Sequence, residues 1–259
     1  MEALLQDAWY SEDPLEKPSH YHDCHQIILI LEGVVQYTVN RSSHLAEGGT
    51  VLLFSRYENH AIRVLSPVYR RYVLQLGTHA STLEGSLYAL LANRPSGFSN
   101  AIAIAEDPGT FQALFESILR ERQRDDRFSA TMEQLLLQQL LIAICRQTPT
   151  ELTLDRRIHA VQQQFESDCS QPYTLEALAE AHNMSPSHLS HRFKKLTGRS
   201  VMGYLLGCRL ASAQHYLTAT DMDIGQIVEK CGFSDSSNFS RTFRQHFGLS
   251  PTAFRRKYS

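Results

Sequence analysis

Histidines stand out in two stretches, where their residue type could do chemistry. His20, His22 and Gln26 lie in SHYHDCHQIILILEG, and His60 closes the later run GGTVLLFSRYENH. If residues 20–30 form a strand, side chains alternate. His20, His22, Cys24, Gln26, Ile28 and Ile30 then face one way, and His25, Ile27, Leu29 and Leu31 the other. Three neutral imidazoles suffice to hold a divalent metal. The same rings can hydrogen-bond a polar effector or serve as packed structural histidines, and all three readings stay open. No Ser-His-Asp or Cys-His constellation emerges, so the expectation is a protein that is not an enzyme.

A second chemistry is offered by GFSDSSNFSRTFRQHFGLSP, residues 232–251. Phe239, Phe243 and Phe247, four apart, stack on one helix face. Ser236, Ser237, Ser240, Arg241 and Arg244 then turn outward. Arg can bond two acceptors on guanine, Asn238 suits adenine, and Ser either donates or accepts. A weaker copy, NMSPSHLSHRFKKLTGRSV, begins at residue 183. Leu189, Ser190, Phe193, Gly198 and Ser200 match Phe239, Ser240, Phe243, Gly248 and Ser250 at a separation of 50 residues. Met184 and Ser185 match Phe233 and Ser234 at 49, so the second copy has one extra residue in its turn. In the first copy Leu189, Phe193 and Leu196 point inward, and Ser187, Ser190, His191 and Lys194 outward. Lys194, Lys195, Arg244, Arg255 and Arg256 suit phosphate contacts.

Helices must position these faces. Each copy follows a short amphipathic segment, TLEALAEAH or DIGQIVEKC, with Thr174 and Asp223 as expected N-caps. Leu175, Leu178 and Ala179 are the core positions of one, and Ile224, Ile227 and Val228 those of the other. Helix, short turn, helix is the pattern whose second helix can enter a DNA major groove. VMGYLLGCRLASAQHYL joins the two copies.

Residues 1–80 carry β-rich runs between Gly and polar turns, which predicts an antiparallel barrel or jelly roll. Residues 81–147 turn helical, and SATMEQLLLQQLLIAICRQ is apolar on more than one face. One face is expected on the barrel and the other on a second copy of the chain. Residues 148–152, TPTEL, read as a linker. Among 259 residues the net charge is −2, but residues 151–259 hold 13 Lys and Arg against 10 Asp and Glu, and residues 1–150 hold 12 against 17. This asymmetry is mild. Five cysteines without a CxxC argue against a structural zinc or a disulfide framework and fit a reducing cytoplasm. Neither a signal peptide nor a membrane span is expected.

TLEALAEAHNMSPSHLSHRFKKLTG, GYLLGCRLASAQHYL and IVEKCGFSDSSNFSRTFRQHFGLSPTAFRR together resemble the DNA-binding domain of the AraC/XylS family of bacterial transcription regulators. The resemblance covers residues ~155–258. It implies two helix-turn-helix units on one connecting helix, reading successive major grooves. Carried over by position, the base-facing residues are Ser187, Ser190 and His191, then Ser236, Ser237, Asn238, Ser240 and Arg241. Val228 stands where the family usually has a small Ala, and Cys231 also departs from the usual pattern. The N-terminal stretch resembles the cupin barrel, with His20, His22, Gln26, Gly33, Gly49 and His60 on its motif positions. Metal-binding cupins use three His and a Glu, and Gln26 replaces that Glu. Domains fused to this DNA-binding module generally resemble cupins that bind a small effector.

The resulting expectation is an α+β protein. A cupin-like barrel (1–80) senses a small molecule, a helical region (81–147) packs on it and dimerises, and an all-α double helix-turn-helix domain (153–259) binds double-stranded DNA. The chain is read as a cytoplasmic homodimer, an activator that meets RNA polymerase, with His20, His22, Gln26 and His60 at the effector and no obligatory cofactor. Many similar regulators govern carbohydrate genes, so the resemblance implies a sugar as one candidate effector. The rivals are a metal-dependent cupin enzyme with a DNA-binding tail and a ligand-independent repressor.

Overall fold

A computed structural model describes residues 4–13, 17–39, 42–95, 97–104, 107–124, 126–148, 152 and 154–258. Pro149, Thr150 and Glu151 of the expected linker lie outside the described residues, while Leu152 is buried in the N-terminal core. The strands are β1 (Leu5–Ser11), β2 (Lys17–His20), β3 (His25–Glu32), β4 (Val34–Val39), β5 (Ser42–Glu47), β6 (Thr50–Phe54), β7 (His60–Val64), β8 (Arg70–Leu76) and β9 (Ala101–Ala103). The helices are α1 (Gly85–Ala92), α2 (Pro108–Arg122), α3 (Ser129–Arg146), α4 (Arg156–Ser167), α5 (Leu175–Ala181), α6 (Pro186–Thr197), α7 (Val201–Ala219), α8 (Ile224–Lys230), α9 (Ser236–Phe247) and α10 (Pro251–Tyr258). The fold is α+β, with sheets first and helices last.

Two antiparallel sheets, ordered β1-β8-β3-β6-β9 and β2-β7-β4-β5, face each other. Alternation on β3 explains the layering. Ile28 and Ile30 enter the core between the sheets with Val35, Leu52, Ile62 and Val73. Ile27 and Leu29 turn the other way and pack with α1, α2 and α3 through residues such as Leu90, Phe115 and Leu140. β3 is therefore covered on both faces, as its continuous apolar run requires.

Two elements depart from the sequence reading. Residues 20–30 are not one strand: β2 ends at His20 and β3 begins at His25, in different sheets. Region 81–147 contributes β9, which pairs with β6. On α3, Leu137, Leu140, Leu141 and Ile144 are buried, while Met132, Leu135 and Ile142 are exposed.

In the helical half, Phe193, Phe239 and Phe243 are fully buried with Leu189, Leu178 and Ile227. Thr174 and Asp223 cap α5 and α8 as expected, and Asp223 with Gln226 forms a reciprocal capping box. The caps of α6 and α9 are Ser185 and Asp235, 50 residues apart, so the extra residue of the second turn is Ser234. Gly198 and Gly248 end both recognition helices in the left-handed conformation.

Candidate effector site and nucleic-acid interface

The histidines meet because β2 pairs antiparallel with β7, which sets His20 opposite His60. The chain bend after β2 brings His22 alongside. The potential ligand nitrogens of His20, His22 and His60 all lie within 4.8 Å of one another. Phe54 stacks on His60 at 4.0 Å between ring centres, and His20 lies 4.4 Å from it.

Backbone carbonyls fix the tautomers. Nδ1 of His20 donates to the Pro18 carbonyl at 2.6 Å, and Nδ1 of His60 donates to the Glu58 carbonyl at 3.0 Å. A carbonyl can only accept, so both neutral rings turn an Nε2 lone pair toward the cluster. His22 Nε2 lies 2.9 Å from His20 Nε2 and supplies the hydrogen between them. Nε2 of His60 is buried and has no hydrogen-bond partner among the described residues. Burial, reinforced by His20 and His22, holds the His60 imidazole well below its usual range, so it is neutral at pH 7. Neutral rings whose second nitrogen is anchored by a carbonyl are the donor set that divalent metals take. The three histidines fit a metal. Gln26, buried beside them, supplies a neutral amide where a carboxylate ligand would add charge.

His20, His22 and Gln26 line a cavity of about 100 Å³ inside the barrel. Tyr69, Arg71 and Gln75 complete its polar wall, and the sequence reading had not singled them out. The signal was there: Arg71 and Gln75 flank the apolar Val73 on one face of β8, an unusual pair of polar residues in a largely buried strand. The Tyr69 hydroxyl is buried without a hydrogen-bond partner among the described residues, and burial pushes it up to about 12.

This site adjoins the helical half. Ser19 and Tyr21 point opposite to His20 and His22. The Tyr21 backbone exchanges hydrogen bonds with the Gln214 side chain of α7, both at 3.1 Å. The Tyr21 hydroxyl lies 2.7 Å from Nδ1 of His246 on α9, and Ser19 Oγ donates to the His246 carbonyl at 2.8 Å. A buried ion pair joins Arg56, after β6, to Glu166 of α4, which also accepts from the Tyr204 hydroxyl at 2.6 Å.

On the recognition helices, Ser187, His191, Lys194 and Lys195 of α6 are exposed and Ser190 is half-buried. On α9, Ser236, Ser237, Arg241 and Arg244 are exposed, and Ser240 and Asn238 half-buried. Arg241 donates to Asn238 Oδ1 at 3.3 Å, which ties the two side chains together. Arg255 differs from the other cations. It is half-buried and donates to the Met222 carbonyl at 2.5 Å, whereas Arg256 is exposed.

Comparison with known proteins agrees with this layout. The family described as AraC-like ligand binding domain matches residues 10–141, and a helix-turn-helix domain family matches residues 178–257. The HTH-type transcriptional activator RhaR of Pectobacterium carotovorum is 28% identical over 247 residues, 93% of this chain and 87% of that protein. RhaS of Salmonella arizonae, another HTH-type transcriptional activator, is 27% identical over 242 residues, covering 92% and 87%. The crystal structure of ToxT from Vibrio cholerae superposes with a TM-score of 0.67 over 99% of this chain and 98% of that one, at 12% identity, a likeness of fold. No helix among the described residues is long and apolar enough to cross a membrane. The chain belongs to the AraC family and is an effector-responsive, DNA-binding regulator of transcription.

Proposed function

We propose that the chain activates transcription as a cytoplasmic homodimer that contacts RNA polymerase, reading DNA through α6 and α9. The observation that carries this is the pair of exposed polar faces on two helices, each N-capped by a polar side chain and ended by a left-handed Gly, and linked through the 19 residues of α7. At 1.5 Å per residue α7 is about 28 Å long, close to the roughly 34 Å turn of B-DNA. Ser187, Ser190, His191, Ser236, Ser237, Asn238, Ser240 and Arg241 are assigned to bases. Lys194, Lys195, Arg244 and Arg256 are assigned to phosphates, and Arg255 to both a phosphate and the α7–α8 connection. The two named relatives, both transcriptional activators, support activation. The division into a sensing barrel (1–80), a dimerising helical region (81–147) and a DNA-binding domain (153–259) follows the same logic. Met132, Leu135 and Ile142 lie within an arc of about 80° at 100° per residue, a stripe that suits a second copy.

The effector enters the barrel at His20, His22, Gln26 and His60. Occupying the cavity lined by His20, His22 and Gln26, which His60 adjoins, alters the β2 segment that holds α7 and α9, and so changes how both recognition helices are presented. A second reading, a bound divalent metal, has its own support in the unpartnered Nε2 of His60. The metal would add a fixed positive charge for a polar effector. Elemental analysis of protein purified without added metal separates the two, since stoichiometric metal that is lost in His60→Ala selects the metal.

DNA reading is tested by selecting bound duplexes from a random pool and footprinting the winner with the full-length protein. Protection of two adjacent major grooves on one side of the duplex is expected, with affinity falling steeply as salt rises. No enriched sequence at low salt would refute the assignment.

A further inference from the structure

A larger cavity, about 430 Å³, lies outside the histidine cluster, between the barrel mouth and the α6–α7 junction. Its size falls in the range of small-molecule sites. The two halves of the protein build it together. The barrel side supplies Tyr37, Glu58 and Asn100, and the helix-turn-helix side supplies Arg199 and Tyr204.

The charges in the wall do not all cancel. Glu58 pairs with Arg94 at 2.5 Å, and Asn100 donates to the same carboxylate oxygen at 3.1 Å. Arg199 has no such partner among the described residues. Its guanidinium lies 4.8 Å over the Tyr204 ring, and Nη2 donates to the Gly203 carbonyl at 3.2 Å. Nη1 is buried with no hydrogen-bond partner among the described residues, so the half-buried side chain meets the cavity through its other atoms. No carboxylate among the described residues cancels its charge, and an anion held in the cavity against Arg199 would do so. One uncancelled positive charge calls for one negative charge. A doubly charged phosphate would add repulsion from Glu58 in the same wall. The rest of the lining, including Tyr37, Ser42, Ser99 and Asn100, offers hydroxyls and an amide more than a continuous apolar surface.

We propose that this cavity is a second effector site for a small polyhydroxylated monocarboxylate, a sugar acid in chemical class. The carboxylate sits on Arg199 and the hydroxyls reach toward Glu58 and Asn100. Arg199 directly follows Gly198, the residue that ends α6. A ligand held here therefore ties the end of the first recognition helix to the barrel. The histidine cluster is not involved, so the site stands or falls apart from the barrel reading.

The test is calorimetry on the full-length protein with L-threonate, D-gluconate and D-galacturonate, beside D-glucose, D-galactose and D-glucose 6-phosphate. At least one acid should bind in the millimolar range or tighter, and its neutral counterpart about tenfold or more weakly. Arg199→Gln should weaken that acid roughly 10- to 100-fold, the loss of one charge-assisted contact, while Arg199→Lys keeps much of the affinity. Ser99→Trp, at an exposed rim position, should block binding without entering the core and replaces Arg199→Gln should that variant not fold. His60→Ala should leave the acid's affinity unchanged. The proposal is overturned if none of the three acids binds, if a neutral sugar or the phosphate binds as well, or if Arg199→Gln and Ser99→Trp have no effect. Loss in His60→Ala with no loss in Arg199→Gln also overturns it and moves the ligand into the barrel.

Discussion

Replacing Glu166 by Gln tests whether a buried charge holds the two halves together. Arg56 and Glu166 retain only 5% and 12% of their side-chain exposure. Arg56 is further fixed by donation from Nε to the Asp23 carbonyl at 2.6 Å and from Nη2 to the Tyr57 hydroxyl at 2.7 Å. It cannot swing out to water without breaking both. Glu166→Gln keeps shape and an acceptor for Tyr204, but leaves the guanidinium buried without its counter-charge. Removing one partner of such a pair costs about 3–5 kcal/mol. The retained amide acceptor puts this case near the lower end, at about 3 kcal/mol. Removing both charges in Arg56→Met/Glu166→Leu should cost less, about 1–2 kcal/mol, chiefly for the orphaned Asp23 carbonyl.

The loss should appear in docking before it appears in either core. The pair connects α4 to the turn after β6, while the hydrophobic clusters of the barrel and the helical half are shared only through Tyr21 and Tyr57, which pack into the helical one. Urea unfolding followed by circular dichroism and tyrosine fluorescence should therefore split into two transitions in Glu166→Gln, while the helical half still binds DNA. The reasoning fails if Glu166→Gln costs under about 1 kcal/mol, or if the double variant costs the sum of the single ones, because then no coupling exists.

Arg241→Ala should weaken specific binding by about 1–3 kcal/mol and relax preference at one or two base pairs. Lys194→Ala should weaken all duplexes alike, and isotherms on a specific and a scrambled duplex at one salt concentration distinguish the two. His25 is buried against Tyr88, and burial, then Arg56 and Arg94, holds its imidazole well below the usual 6.5. The unfolded chain therefore takes up a proton that the folded one refuses, so stability is complete above pH 6.5 and falls below it. His25 should contribute about 1.4 kcal/mol per pH unit to the slope, and denaturation at a series of pH values should show the slope reduced by that amount in His25→Phe. Phe243→Ala, at the centre of the second helix-turn-helix unit, should cost about 3–5 kcal/mol and abolish DNA binding, measurable by thermal melting and gel shift.

The helical half was legible because its determinants are local. Phe239, Phe243 and Phe247 repeat at one spacing, Thr174 and Asp223 cap where a polar residue precedes an apolar run, and the 50-residue repeat shows the unit twice. The alternate faces of β3 were legible for the same reason. The break at residues 21–24 was not, because neither Gly nor Pro marks it. β9 has only three residues, too few to carry a period. The convergence of His20 with His60 came from resemblance to a barrel, since it depends on the pairing of β2 with β7, set by the whole sheet. Nothing near Tyr21 announces that its hydroxyl meets His246, 225 residues away. Long-range pairs such as this one and Arg56–Glu166 follow from how two finished halves dock, which no local pattern encodes.

Under the proposed effector site, the alternation of side chains across residues 19–22 would give this docking a regulatory use. His20 and His22 face the barrel cavity, and Ser19 and Tyr21 face α7 and α9. A rotation of the segment that suits the inner pair must displace the outer pair, because one backbone carries both. The size of the response is bounded by what the outer face holds. The four hydrogen bonds made there by Ser19 and Tyr21 are worth about 0.5–1.5 kcal/mol each net of water, together about 2–6 kcal/mol. Inverting a population from 1:99 to 99:1 takes about 5.5 kcal/mol. The segment can therefore shift the presentation of the recognition helices substantially, and it reaches full inversion only near the top of its range. A graded response, in which the effector changes DNA affinity without making it all-or-none, is what this contact set can deliver by itself. A sharper switch requires the Arg56–Glu166 pair to open in the same step.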